Sequence, residues 1–260
     1  MPVVNEILNY LFSVAPERYK MEWDNIGLMC GHADRKVTKL LVALDATLEV
    51  AAEAKALGCE LVVTHHPLIY GGTNTVSDAT LTGKRILAYL ENGLSVISMH
   101  TNLDCAPGGV NDVLAERLGL QDIRVMPNYH DDAPYLIRYG EVEEQRLADF
   151  VPFVGQKLAC KGLRYADGGS KVHRVAVGGG SCGDCLLPVR EKLGCDTFVT
   201  ADVKYHQFAD AAELGLNLID AGHFETENPV CTYLVQKLRA EFPEIEVVKS
   251  TKHADCTKFA

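Results

Sequence analysis

Gly58-Cys59-Glu60-Leu61-Val62-Val63-Thr64-His65-His66-Pro67 is the stretch on which the reading of the fold turns. Leu61 to Val63 is a short continuous apolar run, as expected of a strand buried on both faces of a sheet. Before it, the alanine-rich run Leu48 to Leu57 reads as a helix that stops at Gly58. Behind the strand, two imidazoles stand where open α/β sheets place their chemistry, at the carboxyl end.

The same grammar recurs further along. Gly194-Cys195-Asp196 echoes Gly58-Cys59-Glu60, and Phe198-Val199-Thr200 echoes Val62-Val63-Thr64, at a constant offset of 136 residues. Gly215-Leu216-Asn217-Leu218-Ile219 parallels Gly93-Leu94-Ser95-Val96-Ile97 at an offset of 122, and His223 follows His100 at 123. A repeat of this kind predicts an internal duplication. The expected fold class is therefore α/β: two similar α/β lobes with mainly parallel sheets, closely packed, covering residues 1–126 and 127–260.

Further strands are expected at Leu40 to Leu44, Leu94 to Met99 and Val172 to Val177, with helices running up to Asn92 and over Val110 to Leu118 and Leu186 to Leu193. Between the lobes, Tyr135 to Gly140 and Arg164 to Tyr165 read as strands around a helix from Gln145 to Leu158, which Pro152 should shorten or kink. Trp23-Asp24-Asn25-Ile26-Gly27-Leu28 reads as a loop that either borders a cleft or fixes its own turn.

Composition narrows the functional classes. The 260 residues are 47% hydrophobic and 23% charged, an ordinary globular mixture. A formal charge of −10 argues against a duplex nucleic-acid partner, which needs a Lys/Arg footprint. No stretch reaches the roughly 18 apolar residues of a membrane span. The N-terminal run Val3, Val4, Ile7, Leu8, Leu11, Phe12 has a helical period and no basic leader or cleavage site, so a secretory signal is not expected. Nine scattered cysteines are read as reduced thiols of a cytoplasmic protein.

Adjacent histidines are commonly surface or core residues. Here His65 and His66 share the pattern with two further strand ends, one carrying His100 and Asp104 and one carrying His223 and Glu227. Imidazole nitrogen with carboxylate oxygen suits one or two ions of Zn, Fe, Mn, Co or Ni, and the absence of thiolate disfavours a purely structural zinc. Pro67 ends regular pairing, which lets both rings turn into one cleft. Asn228-Pro229 is read as the start of the last helix, with His223 and Glu227 in the loop before it.

Six motifs, in order over nearly the whole chain, carry a resemblance: Trp23-Asp24-Asn25-Ile26-Gly27-Leu28, Ala43-Leu44-Asp45-Ala46-Thr47, Thr64-His65-His66-Pro67, His100-Thr101-Asn102-Leu103-Asp104, Gly108-Gly109-Val110-Asn111-Asp112 and Gly222-His223-Phe224-Glu225-Thr226-Glu227. Together they resemble the NGG-one-interacting-factor-three family, whose members are often labelled GTP cyclohydrolase 1 type 2 homologue. The resemblance implies a dinuclear centre of two divalent metal ions held by His65, His66, Asp104, His223 and Glu227. It also implies two α/β lobes and a toroidal homohexamer, in the short form without an inserted domain. One departure stands out: Thr200-Ala201-Asp202-Val203-Lys204-Tyr205-His206 has Ala201 for the family's glycine and Tyr205 for the first of two histidines.

The leading expectation is a dinuclear metal-dependent hydrolase acting on a nucleotide or other phosphorylated small molecule, with His100 and His206 as proton-transfer groups. The alternatives are a metal-binding scaffold or regulatory protein without catalysis, and an iron oxygenase. Gly178-Gly179-Gly180-Ser181 is either a phosphate cradle or, as favoured here, a tight turn. Cys182-Gly183-Asp184-Cys185 has redox-type spacing, but separate thiols are the favoured reading.

Overall fold

In the computed structural model, which describes residues 1–127 and 136–259, apolar runs bounded by glycine become short buried strands. In chain order, helix α1 (Val4–Val14) precedes strands β1 (Gly27–Cys30) and β2 (Lys39–Ala43). Next come α2 (Leu48–Leu57), β3 (Leu61–Thr64), α3 (Leu81–Glu91), β4 (Ser95–Ser98) and the short α4 (Thr101–Cys105). They are followed by α5 (Val110–Arg117), β5 (Gln121–Val125), β6 (Arg138–Gln145), α6 (Leu147–Leu158), β7 (Arg164–Ala166) and β8 (Val172–Val177). The chain continues through α7 (Leu186–Glu191), β9 (Thr197–Thr200), α8 (Tyr205–Glu213), β10 (Asn217–Asp220) and α9 (His223–Glu227). It closes with α10 (Pro229–Glu241) and β11 (Glu246–Lys249). The fold is mixed α/β with two sheets.

Two compact units divide the chain, Met1–Ala106 with Val230–Ala254, and Pro107–Pro229 with Asp255–Ala260. The chain thus leaves the first unit after Ala106 and returns to it at Val230, an excursion that a single boundary near residue 126 does not contain.

The first unit carries the sheet β1-β4-β3-β2-β11, parallel except for β1 against β4. Alternation along the strands sends Leu41, Ala43, Val62 and Val96 to one face, where they pack with Val50, Ala51 and Ala54 of α2 and Ile86 and Tyr89 of α3. Buried Leu40 and Val42 point the other way.

The second unit carries β5-β6-β8-β9-β10-β7 and departs from the expected parallel character. Only β8–β9 and β9–β10 are parallel, and these are the pairs joined by helical crossovers, α7 and α8. The β5–β6, β6–β8 and β7–β10 pairs are antiparallel. Val175, Val177, Val199 and Ile219 face α5 and α6, whereas Ala176, Phe198 and Leu218 face α7 and α8. Both sheets have the same local register at their repeated pairs, Leu61 with Ser95 and Thr197 with Asn217.

Several expectations are corrected. Pro152 lies inside an uninterrupted α6, because Leu147 and Phe150 before it and Val154 and Leu158 after it are all buried on one face. That burial offsets the roughly 3 kcal/mol a mid-helix proline costs. Gly27 and Leu28, read as loop, begin β1. Tyr135, the expected start of a strand running to Gly140, lies outside the described residues, and β6 begins at Arg138. No helix among the described residues is long and apolar enough to cross a membrane.

Candidate metal centre

In the first unit, β3 stops at Thr64, so His65 and His66 are released from strand alternation, and their rings stand side by side with centroids 4.9 Å apart. Hydrogen bonds from Thr64 Oγ1 to the His66 carbonyl (2.8 Å) and from His66 N to the Leu44 carbonyl (2.9 Å) hold this turn. His100 leaves the end of the neighbouring β4, and its ring centroid is 5.3 Å from that of His65 and 5.6 Å from that of His66. One ring nitrogen from each of the three histidines can be chosen so that all lie within 4.8 Å of one another, a set able to hold a metal ion.

Asp104 sits on α4 rather than at a bare strand end. The helix is fixed at its start by the buried Asp24, whose carboxylate accepts from Thr101 N (3.0 Å) and Thr101 Oγ1 and complements the helix dipole. Asp104 Oδ1 comes to 3.5 Å from His65 Nε2.

In the second unit, His223 and Glu227 occupy the first and last positions of α9, one turn apart on one face. This corrects their placement in a loop. Asn228-Pro229 marks the start of α10 as expected, but a separate five-residue helix precedes it. His223 Nε2 lies 3.0 Å from Glu227 Oε2. Donors held about 2.1 Å from a tetrahedral metal stand roughly 3.4 Å apart, so both His–carboxylate spacings fit joint ligation.

Each of the four imidazoles is anchored through Nδ1. His65 Nδ1 donates to the Met99 carbonyl (2.8 Å), a bond that fixes its tautomer. The partner is Asp45 Oδ1 for His66 (2.8 Å), Asp24 Oδ1 for His100 (2.7 Å) and Asp202 Oδ2 for His223 (2.7 Å). Anchoring one ring nitrogen on a carboxylate or carbonyl while the other meets the metal is the habit of metal-binding histidines, so the residues present fit divalent ions. Asp45 also receives His253 Nε2 through its other oxygen (2.8 Å).

Burial alone would raise the carboxyl of Asp24, but hydrogen bonds from His100 and Thr101 outweigh it and hold the group at about 2. Burial opposes ionisation of Asp45 in the same way, and His253 and His66 overcome it, leaving Asp45 well below the usual carboxylate range. Asp202 adopts φ 52°, in the left-handed region that non-glycine residues visit rarely, and its carboxylate meets His223.

Reading the sequence alone missed these supports. Asp45 is 21 positions from His66 and Asp24 is 76 from His100, and nothing local marks them beyond their motifs. It also undervalued the glycine run. Gly179 N donates to Asn111 Oδ1 (2.7 Å) and Gly180 N to Thr226 Oγ1 (3.1 Å). A Cβ on Gly180 would meet Glu227 Oε1 at 2.2 Å and His223 Nε2 at 3.2 Å, so this turn walls in the His223–Glu227 pair. His206 is exposed on the first turn of α8 and lines an open groove with Asp184, Leu187, Asp210 and Glu213, a lining that includes neither His223 nor Glu227. Tyr205 is 88% exposed. Cys182 and Cys185 are buried in the core of the second unit.

The family model described as Duf34/NIF3 (NGG1p interacting factor 3) matches residues 2–255. A Clostridium perfringens protein named GTP cyclohydrolase 1 type 2 homolog is 36% identical over 260 residues, covering 98% of this chain and 99% of that protein. A Clostridium acetobutylicum protein of the same name is 33% identical over 239 residues, covering 90% and 89%. Among solved structures, a Bacillus cereus protein related to NIF3 superposes with a TM-score of 0.93 at 26% identity, over 100% of this chain and 99% of that one.

Proposed function

Because the chain belongs to the Duf34/NIF3 family, we propose that it is a dinuclear metal-dependent hydrolase of small molecules, with a nucleotide or other phosphorylated compound as substrate. His65, His66 and Asp104 from the first unit and His223 and Glu227 from the second are its five ligands. The observation that carries this reading is the uniform Nδ1 anchoring of the histidines, with His65 and His223 turning Nε2 toward a carboxylate.

The chemistry such ions supply when bound is acidification of a water, to a pKa of about 7, and stabilisation of negative charge on a substrate oxygen. The chain's own residues do the rest. Asp45 and Asp202 orient His66 and His223. Asp24, ionised at any working pH, holds a proton on His100 Nδ1 and leaves Nε2 to exchange a proton with the leaving group. His206 stays in the proposal as a second proton-transfer group, and His206→Gln tests it. The shared register of the repeated strand pairs supports an internal duplication. A cytoplasmic toroidal homohexamer completes the reading, and light scattering of the purified chain reports its mass.

Metal-loaded protein should turn over at least one member of a panel of phosphoesters, nucleotides and amides. His65→Ala should lower that rate by more than the roughly 10- to 100-fold typical of losing an outer partner of a metal ligand. Absence of turnover across the panel, or full activity in His65→Ala, would remove the hydrolase reading and leave the scaffold.

A further inference from the structure

Tryptophan is generally well buried, yet Trp23, the single tryptophan of the chain, is 57% exposed. Beside it Tyr70 is 65% exposed, with ring centroids 5.8 Å apart and planes tilted by 55°. The indole also meets His100 edge-on at 6.0 Å, which places it at the rim of the three-histidine cluster of the first unit.

The indole is exposed without being loosely held. Its neighbour Asp24 is tied to His100 and Thr101, and Met21 N donates to Thr101 Oγ1 (2.9 Å). On the other side, Asn25 Nδ2 donates to the Ile69 carbonyl (2.8 Å), which clips the Trp23 turn to the residue preceding Tyr70. Two aromatic rings are thus presented to solvent on a backbone braced by hydrogen bonds, an arrangement with little ordering cost left for a ligand to meet.

We infer that Trp23 and Tyr70 form an aromatic wall that stacks a planar heteroaromatic ring of the nucleobase class, next to His100. This inference rests on the reading of the adjoining centre as a small-molecule site, and it names the part of the ligand that the metal ligands do not recognise. Stacking on the indole leaves the ring's substituents beside the imidazoles. It also discriminates against phosphorylated sugars without a base, because the aromatic faces stack on the π-face of any base, which a ribose phosphate lacks. The wall carries no charge of its own, in keeping with recognition by stacking.

Trp23 doubles as the reporter. Titration of the metal-loaded full chain with guanosine 5′-monophosphate should quench its fluorescence saturably, excited where the nucleotide does not absorb, whereas ribose 5-phosphate should leave it unchanged. By calorimetry, Trp23→Ala and Tyr70→Ala should each weaken nucleotide binding by about tenfold or more, and Trp23→Phe by less, with metal content unchanged in all three. Equal quenching by both probes, no binding of the nucleotide, wild-type affinity in Trp23→Ala, or loss of affinity that tracks loss of metal would each overturn the wall. Nucleotide binding that depends on Trp23 without turnover sinks the hydrolase reading alone. Turnover indifferent to Trp23→Ala sinks the wall alone.

Discussion

Gly180→Ala is expected to fold and, on the proposed function, to lose metal held by His223 and Glu227. Two effects act at this position. The backbone sits at φ +65°, where an L-residue costs about 1–2 kcal/mol. The added methyl would also stand 2.2 Å from Glu227 Oε1, closer than any real contact, and Glu227 is only 4% exposed and has little room to give. The hydrogen bonds around the turn, Gly180 N to the Thr226 hydroxyl and Ala201 N to the Gly180 carbonyl, resist a backbone retreat. Gly194→Ala separates the two effects, because Gly194 has φ +63° with nothing within 4 Å of a built Cβ. The control should lose about 1–2 kcal/mol of stability and keep its metal. Gly180→Ala should lose metal affinity at His223 and Glu227 by about 10- to 100-fold or more, measured by competition with a chelating dye. Equal metal affinity in the two variants would show that the turn does not shape the site.

The second large effect is on stability. Arg138 is fully buried in β6, and its Nε donates to Asp112 Oδ2 at 2.9 Å, an oxygen that also accepts from Gly108 N at 3.0 Å. Asp112→Ala should destabilise the second unit by roughly 1.5–3 kcal/mol, the scale of a hydrogen bond to a charged group, since Arg138 Nε and Gly108 N both lose this acceptor. Trp23 lies in the first unit, so fluorescence is the wrong probe. Hydrogen exchange at the paired amides of β6 and β8 follows the right one. A loss below about 1 kcal/mol, the scale of an exposed ion pair, would contradict the account.

How far the sequence reads through to this structure depends on the element. Strands β3, β4, β9 and β10 were legible because each is a short, mainly apolar run preceded by glycine and followed by polar residues. Strand β5 was not, since Gln121–Val125 is largely exposed and offers only Ile123 and Val125 as alternating apolar positions. Nor was β11, which is completed by pairing with β2 some two hundred residues away. Helix α9 escaped because five residues are too few for a periodic signal and the Asn228-Pro229 pair drew the start of the helix past it. At the centre, the ligand types were visible as motifs. The anchoring role of Asp24, Asp45 and Asp202 was not, because they meet their histidines only after the chain has folded. Asn111 and Asp112 read as part of the helix over Val110 to Leu118, and the structure gives them the Gly179 amide and the Arg138 guanidinium.

The central claim is tested most directly by elemental analysis of the full chain, purified without added metal and then loaded in turn with Zn, Fe, Mn, Co and Ni. Two divalent ions per chain are expected with at least one of these metals, and fewer in both His65→Ala and Glu227→Ala. No more than trace metal in the wild-type chain, or two ions retained after both residues are replaced together, would contradict it.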